Sequence, residues 1–333
     1  MNWHLKPHWT GWTWDAEQYP SHLQMLQFIK KKGLAIGANL HDAEGVMNFE
    51  KRYAEMAAAN GVTGNKTVQF RISQKHYAET LSNIILEPLA QEGIDFWWTD
   101  YQQGESLGKK EKKNGSTKKF RFFFKGVPDI SGANPTMLLN HFRFYNYTGS
   151  GERGLIHSRW GGLGNHRYFS GFGGDVRNNF ASLDFMVYFT STAANVLFSW
   201  GHEMMIASDD DSRMAYEVFV RTMQFGAMSP VFTSWGNRDE PNDLWSMAPE
   251  FLNATRDALV LRAQLLPYIY TQFQIASITG LIITRPLYYA YPRSPDAYEF
   301  TRVFFWRFDP RFACCDSDGE WICVSPSLVP TRP

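Results

Sequence analysis

The chain has almost no cysteine. Its three, Cys314, Cys315 and Cys323, crowd near the C-terminus. An odd number in an otherwise cysteine-free chain argues against a disulfide framework, and the spacing matches no zinc module, so free thiols are expected. Net charge is absent too: 33 basic and 33 acidic residues cancel, which removes the electrostatic argument for nucleic acid or an anionic membrane as partner. No apolar run reaches the roughly 18 residues that cross a bilayer. Met1 is followed by Asn2-Trp3-His4 rather than by a charged and then apolar leader, so no membrane span is expected and no compartment is assigned. His4 and His8 have the i, i+4 spacing of a helical metal pair, but Pro7 between them spoils the helix such a pair needs. No metal and no cofactor is expected, and nothing fixes an oligomeric state.

Aromatic surface, by contrast, is abundant. At 333 residues, 44% hydrophobic and 16% aromatic, the chain can bury a large core and fits one large α/β domain or two smaller ones. Its 12 Trp and 15 Tyr offer flat faces that suit sugar rings, although most buried aromatics simply pack.

Strand-like apolar segments alternate with longer helical patterns. Residues 23–32 read as an amphipathic helix stopped by Gly33, and 34–40 follow as a buried strand ending at His41 and Asp42. The rhythm recurs: helical spacing over 77–91 before a strand ending at Asp100, over 134–146 before a strand at 154–157, and over 214–225 before 228–232. A long helical pattern over 250–279 is followed after Gly280 by a strand at 281–287. Repeated strand-helix units of this length predict a (β/α)8 TIM barrel, with a doubly wound open sheet as the alternative. Two stretches break the rhythm. Residues 105–125 form a Lys-rich insertion around Asn114-Gly115-Ser116, read as a flexible solvated loop, a lid, or a patch for an anionic substrate. The tail over 301–333 loses periodicity and is expected to be poorly ordered.

Gly93-Ile94-Asp95-Phe96-Trp97-Trp98-Thr99-Asp100 is an apolar, aromatic strand pattern that delivers a carboxylate to its C-terminal end, where packing gives no reason for one. A second carboxylate, Asp175, ends a loop rich in Gly, Arg and His that begins near His157. Two acids presented by loops among Trp, Arg and His suit glycosidic bond cleavage.

The order of several motifs goes further. Asn2-Trp3-His4 with Gly11-Trp12-Thr13-Trp14, Asn39-Leu40-His41, Asp95 to Asp100, Leu139-Asn140-His141, Ser158-Arg159-Trp160, Arg167-Tyr168 with Gly174-Asp175, Gln224-Phe225-Gly226 with Ser229-Pro230, and Arg285-Pro286-Leu287 follow one another along the chain. With them residues 1–300 resemble the catalytic barrel of glycoside hydrolase family 31, the retaining α-glycosidases. The resemblance implies Asp100 as nucleophile and Asp175 as general acid/base, with a raised pKa on Asp175 from burial or from the charge of Asp100. It also implies that Arg159 fixes sugar hydroxyls or orients the nucleophile, that Trp98 and Phe172 wall the sugar subsite, and that His41, Glu203 and Trp235 contact the substrate.

Departures from the family pattern are equally specific. An aspartate that binds sugar hydroxyls would lie ahead of Met1, as would a first barrel strand, so the chain is expected to be an incomplete barrel and a fragment of a longer enzyme. His202-Glu203-Met204-Met205-Ile206 stands where the family has His-Asp-Ile-Gly-Gly, and Trp235 stands where many relatives carry histidine. The implied activity is hydrolysis of terminal α-linked glycosides, in α-glucosidase fashion, with an oligosaccharide or glycoside as partner. The alternatives are an impaired or carbohydrate-binding remnant, and α-galactosidase or α-N-acetylgalactosaminidase specificity.

Overall fold

The computed structural model describes residues 10–101, 106–110, 120–124, 126–128, 130, 132–146, 154–159, 164–168, 170–193, 199–205, 213–235, 244–299 and 304–305. The chain divides into two compact units, Met1–Phe169 and Ser170–Pro333.

In the first unit, helix α1 (His22–Lys31) carries Lys30 and Lys31 in its last turn, where cations complement the helix dipole. Gly33, at φ +74°, ends it. The Gly33 and Leu34 amides fold back onto the Lys30 and Ile29 carbonyls, the Schellman arrangement that favours glycine. Strand β1 (Gly37–His41) follows, then helix α2 (Tyr53–Ala59). Helices α3 (Lys75–Leu81) and α4 (Glu87–Glu92) are joined by a π turn, Ser82–Leu86. Pro88 sits in the first turn of α4, and a wider turn ahead of it relieves the contact its ring would make with the carbonyl four residues back.

Strand β2 (Phe96–Asp100) pairs parallel with β1, Gly37 opposite Phe96 and His41 opposite Asp100. The two strand starts are pinned by Asp95, which accepts from Lys30 Nζ at 2.9 Å and from the Ile36 amide at 2.8 Å. Strands β3 (Ser106–Lys110) and β4 (Phe120–Phe124) pair antiparallel. Two stretches of the Lys-rich insertion are therefore paired strands, while residues 111–119 lie outside the described residues. Helix α5 (Pro135–Asn146) is entered through Asn134, whose side chain accepts from the Thr136 amide at 2.9 Å. It leads to β5 (Ile156–Arg159), parallel to β2.

Side chains alternate across these three strands. Ala38, Leu40 and Trp97 turn to one side and are buried in a core with Leu26, Tyr77 and Leu139. Asn39, His41, Trp98, Asp100, His157 and Arg159 occupy the alternate positions, and so the other face. This parallel sheet is thus apolar toward its helices and polar on its opposite side.

The second unit repeats the strand-helix-strand pattern. Strand β6 (Ser170–Phe172), helix α6 (Phe180–Ala193) and strand β7 (Ser199–Gly201) form one parallel repeat. Strand β8 (Glu203–Met205), helix α7 (Arg213–Ala227) and strand β9 (Thr233–Trp235) form another. Helix α8 (Pro249–Thr279) is closed by Gly280 in the left-handed region. A two-residue strand β10 (Arg285–Pro286), short helices α9 (Leu287–Ala290) and α10 (Asp296–Glu299), and β11 (Phe304–Phe305) complete the described chain, β10 pairing antiparallel with β11.

Three sequence expectations change here. Residues 228–232 form a turn, because Arg262 of α8 donates to the Ala227, Ser229 and Pro230 carbonyls and holds the end of α7 bent; the strand begins at Thr233. The strand expected over 281–287 shrinks to Arg285–Pro286, with Leu287 already opening a helix. Within the tail, Phe304–Phe305 is a paired strand, and the remainder of 301–333 lies outside the described residues.

Glycine substitutions test the backbone account. Gly45 has φ 73° and ψ −158°, a region essentially reserved for glycine, and an added Cβ would stand 2.3 Å from the Val68 carbonyl oxygen. Gly33 has a similar φ but nothing within 4 Å of an added Cβ. In urea unfolding, Gly45→Ala should cost about 3 kcal/mol and Gly33→Ala about 1 kcal/mol; equal losses would contradict the close approach.

Candidate active site

Asp100 ends β2 and is 7% exposed. Its Oδ1 accepts from Arg159 Nη1 at 2.9 Å and from the Tyr101 amide at 2.7 Å. Tyr101 has φ +41°, unusual for a residue with a Cβ, and this turn aims its N–H back at the preceding carboxylate. Oδ2 faces His41 Nε2 at 3.6 Å. Burial alone would push the Asp100 carboxyl up, but interaction with His41 and with the Arg159 guanidinium outweighs it and leaves the group below the usual carboxylate range. The group is therefore an anion with one oxygen immobilised and the other more loosely held.

The strand register creates this cluster. His41 is opposite Asp100 on β1, and Arg159 lies two residues past His157, which is opposite Trp98. Trp98, partly buried, shares the face with Asp100 one pleat earlier. His157 carries no assigned role in the sequence reading, although its i, i+2 relation to Arg159 puts both on one side of a strand. Burial pushes its imidazole down to about 4, with the Asp100 charge opposing, so the ring is neutral at physiological pH.

The remaining expected residues belong to the second unit. Phe172 ends β6 and is fully buried, so it supports its surroundings from within the core and presents no face to a ligand. Asp175 lies three residues beyond β6, after Gly174 at φ +80°, and is exposed. Glu203 opens β8 and is 3% exposed. Trp235 ends β9, and its side chain lies outside the described residues.

His202, just before Glu203, is fully buried. Its Nε2 accepts from Trp200 Nε1 at 3.2 Å and lies 3.0 Å from the Thr190 hydroxyl, which puts the ring proton on Nδ1. That Nδ1 would stand 2.7 Å from a Cβ on Gly173, so the Gly173-Gly174 turn leading to Asp175 requires glycine at its first position. Burial pushes His202 down to about 3. Among the described residues, no group of three or more His, Cys, Asp or Glu side chains is placed to hold a metal, and no helix is long and apolar enough to cross a membrane.

Residues 1–272 match the Glycosyl hydrolases family 31 TIM-barrel domain. The chain belongs to glycosyl hydrolases family 31. It is 28% identical over 182 residues to the lysosomal alpha-glucosidase of Bos taurus, covering 54% of this chain and 18% of that protein. It is 33% identical over 114 residues to the probable glucan 1,3-alpha-glucosidase of Oryza sativa subsp. japonica, covering 34% of this chain and 10% of the relative. Among solved structures, a GH31 alpha-xylosidase from a soil metagenome complexed with xylose superimposes with a TM-score of 0.70 at 17% identity, covering 90% of this chain and 48% of the other. The xylosidase from Aspergillus niger gives a TM-score of 0.71 at 19% identity, covering 90% of this chain and 50% of the other. The fold is thus that of the family 31 (β/α)8 barrel. The chain spans half or less of the length of these relatives.

The two neutral histidines set a pH dependence for this family 31 chain. Their folded pKa values, about 4 for His157 and about 3 for His202, lie below the ordinary 6.5. The unfolded state therefore binds more protons as pH falls through about 6.5, and stability is lost progressively down to those folded values. The urea midpoint should drop between about pH 7 and pH 5, and His157→Gln should flatten that slope by up to about 3 kcal/mol at the acid end. A midpoint independent of pH over this range would contradict the neutral, desolvated rings.

Proposed function

We propose that the chain is the catalytic barrel, over residues 1–300, of a retaining α-glycosidase that hydrolyses terminal α-linked glucosides by double displacement. The observation that carries the reading is Asp100: a buried anion at a strand end, oriented through Oδ1 by Arg159 and the Tyr101 amide, in a chain of family 31. Glucosides are favoured over galactosides because the curated relatives include lysosomal alpha-glucosidases of Bos taurus, Mus musculus and Rattus norvegicus and an alpha-glucosidase of Hordeum vulgare.

In the proposed reaction Asp100 Oδ2 attacks the anomeric carbon and forms a glycosyl ester, while the leaving oxygen takes a proton from Asp175. Asp175, now a carboxylate, removes a proton from water, which attacks the same carbon and releases the sugar with its original configuration. Retention calls for carboxyl groups about 5–5.5 Å apart, so that no water intervenes in the first step. Arg159 and His41 keep Asp100 ionised for attack. Trp98, Glu203 and Trp235 are proposed to contact the sugar, with Phe172 backing them.

Two substitutions test the assignment with nitrophenyl α-glucosides and natural disaccharides. Asp100→Asn should abolish hydrolysis of both, since a neutral amide cannot form the ester. Asp175→Ala should slow disaccharides by about 10²–10⁴-fold but activated phenols far less, with azide restoring the second step. Equal losses on both substrate types would remove Asp175 from the acid/base role, and an active Asp100→Asn protein would remove Asp100 as nucleophile.

A further inference from the structure

On the helix side of β1 and β2, facing away from Asp100, lies a buried ion pair that the proposed chemistry does not use. Asp42 directly follows β1 and is fully buried; Arg143, on α5, is 4% exposed. Arg143 Nη2 donates to Asp42 Oδ1 at 2.5 Å, and Nη1 donates to the fully buried Thr99 hydroxyl at 3.0 Å. Asp42 is next to His41 in sequence, and Thr99 is next to Asp100. One guanidinium therefore bridges the C-terminal ends of two neighbouring strands at the level where His41 and Asp100 stand opposite each other. Tyr77 of α3 lies in the same electrostatic field: burial and the Asp42 charge push its phenol up, and Arg143 opposes.

A buried ion pair is a poor source of net stability, because desolvation offsets much of the attraction and an apolar filling of equal volume often does as well. What it does supply is geometry. A planar fork with two fixed donors defines two points at once, which an ammonium cannot do. Because side chains alternate, Thr99 turns toward the helices while Asp100 turns the opposite way, so fixing the first fixes the direction of the second. Arg143 cannot itself touch a substrate on the far face of the sheet.

We propose that Arg143 is a positioning residue for the nucleophile: by joining Asp42 to Thr99 it locks β1 to β2 at their C-terminal ends and so holds Asp100 between His41 and Arg159. Its consequence for turnover rests on the reading of Asp100 as nucleophile, but its structural content does not. The test compares the parent chain with Thr99→Val, which keeps the ion pair and the volume, and with Arg143→Lys, which keeps the charge and loses the fork. Two quantities are followed beside the melting temperature: the titration of the Asp100 carboxyl by carbon NMR, and kcat and KM on a nitrophenyl α-glucoside.

Thr99→Val should remain folded while the Asp100 titration moves up toward the usual carboxylate range, and Arg143→Lys should move it further. The kcat should fall about 10-fold or more with KM within about twofold, the signature of a misplaced reacting group. Loss of melting temperature in either variant with an unchanged Asp100 titration and unchanged kcat would show a merely structural residue and overturn the proposal. If the parent hydrolyses no glycoside, the functional reading fails, and the titration still decides the positioning role.

Discussion

A carboxylate taken almost out of water must be surrounded by donors or give up its charge, and the first unit is arranged around that requirement at Asp100. Three groups meet it: the Arg159 guanidinium, the Tyr101 amide and the His41 ring. They come from three adjacent stretches of chain, so the parallel register of β1, β2 and β5 has to be right to a single residue. A slip by one position would turn Asp100 into the helix-facing core and leave Arg159 without its partner. The strained turn at Tyr101 belongs to the same arrangement, since it trades an unfavourable φ for a hydrogen bond to an anion.

Everything else in that unit serves the register. Ala38, Leu40 and Trp97 bind the sheet to its helices through apolar burial, which is strong but has no preferred direction. Direction comes from polar clasps at both ends of the strand pair: Asp95 at the start, reaching Lys30 and the Ile36 amide, and Arg143 at the end, reaching Asp42 and Thr99. In the second unit the same division holds. Arg262 bends the chain out of α7, and the buried His202 packs so closely on Gly173 that the turn before Asp175 admits no side chain there.

Most of the helices were legible in the sequence from a periodicity closed by glycine, as at Gly33, Gly93 and Gly280, and the strands β1, β2 and β5 from short apolar runs. Helix α6 was not, since Phe180–Ala193 is apolar nearly all round and carries little periodic signal. The strands β6 to β9 are only three residues long, too short to show alternation. The turn at 228–232 depends on Arg262, more than thirty positions away, and no local pattern reports such a contact. Asp100, Arg159 and His41 were visible as motif residues, and the strand register explains why they meet. His157, His202 and Arg143 received no role from the sequence, because a polar residue inside an apolar pattern acquires meaning only when its tertiary partner is known.

As proposed, the nucleophile is Asp100, a buried carboxylate oriented by Arg159 and the Tyr101 amide. Incubating the intact chain with a fluorinated α-glucosyl fluoride, digesting it and weighing the peptides addresses this directly, because the ring fluorine slows both steps while the good fluoride leaving group speeds only formation of the glycosyl ester, which therefore accumulates. The account predicts one added sugar mass on the peptide that contains Asp100, absent when the chain is unfolded beforehand. The same mass found instead on the peptide that carries Asp175, or on any other carboxylate, would contradict it.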